Sequence, residues 1–216
     1  MLIHWFAHSA FLLTARNGLS ILTDPFDAAI GYTLENVVAD VVTISHDHHD
    51  HNHLASAAGA PQVLRTEGEW KINGAGIYSI PSFHDEKGGA ERGANLIFLF
   101  EMDDVRVCHL GDQGCMPSEE AFQKLGNVDV LLAPVGGIYT IGPREVCDIA
   151  NRTNTAVLIP MHFQTPRLRL GKPILGVEPL LSVVRSCNIH RLNQSECCIT
   201  KETLGHDRLL VLDPSL

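Results

Sequence analysis

Residues 45–53 read Ser-His-Asp-His-His-Asp-His-Asn-His and hold five of the chain's twelve histidines. The apolar run at 39–44 leads into them and reads as a buried strand. Along an extended segment alternate side chains point the same way, so His46 and His48 project together and can hold one metal ion. Asp50 and His51 follow where the chain should turn away from the strand, a carboxylate and an imidazole placed to hold a second ion. That donor set suits zinc, with manganese or iron also accommodated. A buried strand end is a costly place for idle polar residues. The cluster is internal and interrupted by aspartates, which argues against an expression tag.

Other chemistry-bearing residues also stand at predicted strand ends. His84 closes Pro81-Ser82-Phe83-His84 after a strand over 76–80. The strand 105–110 ends in Gly111-Asp112-Gln113-Gly114, where glycine lets backbone and carboxylate approach a ligand closely. The strand 156–159 delivers Pro160-Met161-His162. Asp24, before Pro25 at the end of strand 19–23, reads equally as a turn starter. His8, in the first hairpin, reads as a structural histidine, with a place at the site rim as the alternative, and His49 and His53 as exposed or outer residues. Residues 86–95 are rich in glycine and charge. They read equally as a solvated hairpin tip or a mobile lid, with Arg92 free to pair an anionic group. Tyr139 and Thr140 sit in a glycine loop, 134–140, as candidate hydrogen-bond donors to substrate. Arg167, Arg169 and Lys172 form a basic stretch suited to a site wall.

The elements that must position these residues fit one α/β domain spanning 1–216. Antiparallel strands are expected at 2–6, 10–14 and 19–23. A short helix is expected over 52–58, strands at 62–65 and 76–80 on the edge of the first half sheet, and a strand pair at 95–100 and 105–110. Helices follow at 118–125, 143–151 and 177–185, and strands at 128–133, 156–159 and 208–212. The net charge of −9 and pI of about 5.7 argue against a nucleic-acid partner, whose affinity rests on Lys and Arg. No signal peptide or membrane-length apolar run is evident. Six cysteines without a C-x-x-C motif suit a reducing cytoplasm. Nothing in the sequence specifies an oligomeric state.

His46-x-His48-x-Asp50-His51, with Gly111-Asp112 and Pro160-Met161-His162 following in order, resembles the signature of the metallo-β-lactamase superfamily. The resemblance implies a four-layer αββα sandwich and two divalent metal ions, zinc first, with Mn or Fe as alternatives. It implies His46, His48 and His84 on the first metal, Asp50, His51 and His162 on the second, and Asp112 between them. Asp24 would support the ligands from behind, and Asp50 and Asp112 would be the catalytic carboxylates. Gly111–Gly114, 134–140 and Pro160-Met161-His162-Phe163 are most similar to small hydrolases related to L-ascorbate-6-phosphate lactonase. The best-known β-lactamases carry cysteine where this chain has Asp112, so antibiotic hydrolysis is not implied.

The implied chemistry is hydrolysis. Two ions roughly 3.5–4 Å apart bring the pKa of a shared water down to about 7, and the hydroxide attacks a carbonyl or phosphorus. A small, ester-like substrate follows: a lactone, thioester or phosphodiester, with an anionic group for Arg92. Two alternatives stand beside it, a nuclease acting on RNA and an iron-dependent oxygenase or redox protein. His48 stands where di-iron flavoprotein relatives carry glutamate, which favours the hydrolase.

Overall fold

Alternating buried and open side chains drive the first hairpin, β1 (Leu2–Ala7) and β2 (Ala10–Thr14), closed by His8 and Ser9. The computed structural model describes residues 1–184, 188–205 and 208–216. The chain continues through β3 (Ser20–Thr23), the short β4 (Val37–Val38), β5 (Val41–Thr43), β6 (Ala57–Ala58) and β7 (Gln62–Leu64). Next come β8 (Gly68–Ile72), β9 (Ala75–Phe83), β10 (Ala94–Met102) and β11 (Val105–His109). The remaining elements are α1 (Glu119–Leu125), β12 (Val130–Pro134), α2 (Pro143–Arg152), β13 (Val157–Met161), α3 (Glu178–Val183), β14 (Asn188–Arg191), β15 (Glu196–Cys198) and β16 (Arg208–Val211).

One six-stranded sheet has the order β15-β1-β2-β3-β5-β7, and an eight-stranded sheet has β14-β16-β13-β12-β11-β10-β9-β8. A continuous core lies between them, with Trp5, Phe11 and Ile21 from the first sheet and Phe98, Phe100, Leu131 and Ile159 from the second. Each such side chain contributes about 1.5–3 kcal/mol by leaving water. On the outer face of the six-stranded sheet, Leu22, Val42 and Ile44 cluster with Phe26, Ile30, Tyr32 and Leu34. That outer layer is built from a 3-10 turn at Ala28–Ile30 and chain without regular secondary structure. The α-helices serve the other sheet: α1 packs on β9, α2 on β12 and α3 on α2. This is the expected mixed α/β sandwich of two packed sheets, with its α-helices on the eight-stranded sheet.

The structure corrects several local expectations. β9 belongs to the second sheet, pairing antiparallel with β10 from Gly76 to Phe83, and not to the edge of the first. The helix expected over 52–58 is a 3-10 turn at Leu54–Ser56 running into β6. Extension stops at Thr43, and 45–51 bends into a turn in which the His51 amide donates to the His48 carbonyl at 2.9 Å. β4, β8, β14 and β15 have no counterpart among the strands expected from the sequence. The expected end of the last helix, Arg185, lies outside the described residues, as does Cys187. Among the described residues no helix is long and apolar enough to cross a membrane.

Candidate metal centre

The donor residues gather at one end of the seam between the sheets. His8 comes from the β1–β2 turn, Asp24 follows β3, and His46 to His51 follow β5. From the second sheet, His84 follows β9, Asp112 follows β11 and His162 follows β13. Parallel strands of such sheets deliver ligand-binding residues at their carboxyl ends. Two glycines make the convergence possible. Gly111 has φ +58°, and a Cβ there would lie 2.4 Å from Asn95 Oδ1. A Cβ on Gly114 would lie 2.1 Å from the His84 carbonyl carbon, so only glycine lets the Asp112 loop rest on the His84 backbone.

Among the described residues three groups of donor atoms form, each within 4.8 Å of one another: His46, His48 and His84; His8, Asp50, His51 and His162; and Asp24, His46 and His51. Asp112 stands between the first two. Its Oδ2 is 3.2 Å from His84 Nε2, 3.1 Å from His162 Nε2 and 3.9 Å from His46 Nε2, and its Oδ1 is 3.3 Å from His51 Nε2. His46 and His48 do face one way despite the bend, with ring centroids 4.6 Å apart.

A buried hydrogen-bond chain orients the imidazoles. The Ser45 hydroxyl donates to Asp24 Oδ2 at 2.6 Å, and the Ser45 amide to Asp24 Oδ1 at 2.8 Å. Ser45 Oγ then accepts from His46 Nδ1 at 2.9 Å, while His51 Nδ1 donates to Asp24 Oδ2 at 2.8 Å. The network therefore assigns the Nδ1–H tautomer to both rings and leaves each Nε2 lone pair facing inward. His46 Nε2, His51 Nε2 and Asp112 Oδ1 are buried without a hydrogen-bond partner among the described residues. Buried polar atoms are rarely left so. Inward lone pairs of nitrogen and oxygen are what a divalent cation takes, so the residues present fit two metal ions.

The electrostatics divide the histidines, keeping His46 and His8 neutral and favouring positive charge at His51, where the carboxylates of Asp112 and Asp50 converge. Burial, then the neighbouring His51, pushes His46 down to about 3, so its imidazole is neutral at pH 7. Burial and His162 lower His8 to about 4. Burial raises the Asp112 carboxyl, but the charges of His162 and His51 outweigh it and hold Asp112 well below the usual range. Burial likewise opposes ionisation of Asp50, and His51 and His8 overcome it. Burial lowers His51, but the carboxylates of Asp112 and Asp50 hold it well above the ordinary histidine value.

The centre opens into a cavity of about 540 Å³ lined by His48, Asp50, His84, Arg92, Tyr139 and Arg169, among others. The Arg92 guanidinium lies 5.7 Å from the Tyr139 ring centroid. Arg169 donates to the carbonyls of Pro166 and Leu168 at 3.1 Å each. Neither arginine pairs with a carboxylate among the described residues. Thr140 does not line this cavity, and its hydroxyl donates to the Ile141 carbonyl at 3.2 Å. His49 reaches the rim but is exposed and bonded to Asp27. The 86–95 segment is fastened at its base, because the Asp85 carboxylate accepts from the amides of Lys87, Gly89, Glu91 and Arg92 at 2.7–3.0 Å. A second cavity, of about 680 Å³ beside Tyr78, Glu101 and Arg106, contains no histidine.

Two residues here escaped the sequence reading. His8 is buried inside the second donor group and not at the rim, with Nε2 3.2 Å from Asp50 Oδ2. Its only sequence signal is a bulky polar residue in a two-residue turn that favours glycine or asparagine. His109 ties the sheets together, with Nε2 donating to the Ser9 carbonyl at 2.9 Å and Nδ1 accepting from the Gly111 amide at 3.1 Å.

Residues 2–162 match the family model described as the β-lactamase superfamily domain. A UPF0173 metal-dependent hydrolase from Pyrobaculum neutrophilum is 30% identical over 196 residues, covering 76% of this chain and 85% of the relative. A Thermotoga maritima crystal structure, provisionally described as a Zn-dependent hydrolase of the metallo-β-lactamase superfamily, superposes with a TM-score of 0.80. It is 34% identical and covers 98% of each chain. A metallo hydrolase from Ignicoccus hospitalis, 23% identical over 78% of this chain and 85% of its own, shares the fold with a TM-score of 0.61.

Proposed function

The chain belongs to the metallo-β-lactamase superfamily, and from that premise we propose that residues 1–216 form one hydrolase domain acting on a small, anionic, ester-like substrate. The observation that carries this reading is the pair of donor groups flanking Asp112, with inward-facing nitrogens that hydrogen bonding leaves unused. His46, His48 and His84 would hold one divalent ion and Asp50, His51 and His162 another, with Asp112 between them. When bound, the ions supply a nucleophilic water at neutral pH and polarise the scissile group. Zinc is the first expectation for a set of imidazoles and carboxylates, ahead of manganese or iron.

The chain's own residues do the rest. Asp50, held ionised by His51 against the effect of burial, would accept the proton of an attacking water. Arg92 and Arg169 reach the cavity without acidic partners, in a chain of net charge −9, and so are free to bind a phosphate or carboxylate on the substrate. Tyr139 presents its ring to Arg92 at the cavity wall. A cavity of about 540 Å³ suits a small molecule. The similarity of the 111–114, 134–140 and 160–163 segments to the L-ascorbate-6-phosphate lactonase group puts phosphorylated lactones first in a substrate screen. Thioesters and phosphodiesters come next.

The test begins with metal content. Protein as purified should carry about two divalent ions per chain, and His48→Ala and Asp112→Ala should each lower that number. Hydrolysis of an anionic lactone or ester should require the metal. Arg92→Ala should raise KM for the anionic substrate about tenfold, equivalent to about 1.4 kcal/mol, and leave a neutral analogue unaffected. Metal-stripped protein that hydrolyses as well as the loaded form would refute the reading.

A further inference from the structure

Resting on that binuclear reading, we propose that His8 is itself a metal ligand, completing the second site with Asp50, His51 and His162. Its Nε2 lies with their donor atoms in a single group within 4.8 Å, and its ring centroid is 4.3 Å from that of His162 and 4.9 Å from that of His51. Donor atoms around zinc, at about 2.0–2.1 Å from the ion, sit roughly 3 Å from one another. His8 Nε2 and Asp50 Oδ2 are 3.2 Å apart. His8 also shares a pattern with His84 and His162: each has Nδ1 buried without a partner, while Nε2 is the nitrogen turned toward a carboxylate of the site.

The backbone supplies a separate argument. His8 has φ +54° and His162 has φ +47°, a left-handed conformation that few residues other than glycine adopt, histidine among the better tolerated. Such strain persists only where the surroundings over-determine it. Here the His162 amide and the Trp5 indole both donate to the His8 carbonyl at 3.1 Å, and His109 holds the next carbonyl, that of Ser9, at 2.9 Å. Three anchors thus fix the turn, directing the His8 ring into the site and tying it to the backbone of His162. A merely structural turn would be filled more cheaply by glycine or asparagine.

The assignment divides the labour between the sites. The second would draw three imidazoles, Asp50 and Asp112 from the chain, which leaves little room for substrate. The first would draw His46, His48, His84 and Asp112. Both sites line the cavity, the first through His48 and His84 and the second through Asp50 and His162, but the first would hold one chain ligand fewer, so the position open to substrate would belong to it.

Nitrogen-15 NMR of histidine-labelled, zinc-loaded wild-type protein separates a ligand from a hydrogen-bonding partner of Asp50. As a ligand, His8 carries its proton on Nδ1 and gives its Nε2 lone pair to the metal, so six imidazoles show metal-bound nitrogen. Assignment comes from the signal lost in His8→Gln. Replacing zinc by cadmium-113 should split the His8 Nε2 resonance. Chelator competition on His8→Ala should weaken the second equivalent of metal more than 100-fold, beyond the roughly 10–100-fold loss expected of an outer hydrogen-bonding partner. Two bound ions with His8 protonated on Nε2 and unsplit would overturn the ligand role and leave the hydrolase reading standing. Failure to take up any metal would overturn both.

Discussion

Asp24 sets two imidazoles with one carboxylate. It binds His51 directly and His46 through the Ser45 hydroxyl, and its burial is complete. Burial raises its pKa, yet its bond to His51 holds the group below the usual range, so it stays an acceptor. Asp24→Asn tests this cleanly, because asparagine tolerates the φ of +39° found there. The variant should fold and bind zinc about 10–100-fold more weakly in a chelator competition. Unchanged affinity would show that Ser45 and the turn alone orient the rings. At this scale the sequence was uneven. His46, His48, Asp50 and His51 are adjacent along the chain, and their types and spacing announce a donor cluster. The position of Asp24 at a strand end was visible, but its partners were not. His8 was illegible because its significance lies in a contact with Asp50, 42 residues away, and in a strained φ that no composition reveals.

Strand ends are the units that carry this site, and most were readable because their apolar runs are buried throughout, as in β12 and β13. The strands that were not readable lack that pattern. β14 is exposed at every position, β8 only alternates between half-buried and exposed, and β15 is three residues long. The sheet to which β9 belongs was not readable either, because pairing with β10 depends on the connection between them. That connection is the segment read equally as lid or hairpin tip. Its four amide bonds to Asp85 make it a fastened loop, and Arg92 is the last of the four donors. The backbone bonds that oppose the effect of burial lower the Asp85 carboxyl to about 2, so it remains an acceptor throughout the neutral range. Asp85→Ala should therefore free residues 87–92 and misplace Arg92. Amide exchange there should accelerate about tenfold or more, and KM for an anionic substrate should rise while kcat changes less. Exchange rates equal to wild type would mean that the glycine turns hold the loop without Asp85.

On the scale of the whole molecule, the proposed ligands are divided between the two sheets. His8, His46, His48, Asp50 and His51 come from the six-stranded sheet, and His84, Asp112 and His162 from the eight-stranded one. Bound metal would cross-link the open end of the sandwich as well as serve chemistry. Without it, the carboxylates of Asp50 and Asp112 and the unpartnered nitrogens of His46 and His51 remain packed together at the seam. Metal that binds only the folded chain stabilises it by mass action, by about 4 kcal/mol when free metal exceeds Kd 1,000-fold. For a chain of this size each kcal/mol moves Tm roughly 2–4 °C, so chelation should lower Tm by about 8–16 °C. The loss should be reversed by adding zinc back. The fold itself should survive, because the core around Trp5, Phe11, Phe98 and Phe100 lies between the sheets and includes none of the proposed ligands. Far-ultraviolet circular dichroism should accordingly be unchanged by chelation at 25 °C, while amide exchange rises in the 45–51 turn and around Asp112. A Tm insensitive to chelation, in protein shown to have lost its metal, would mean that the sandwich is closed by packing and by His109 alone.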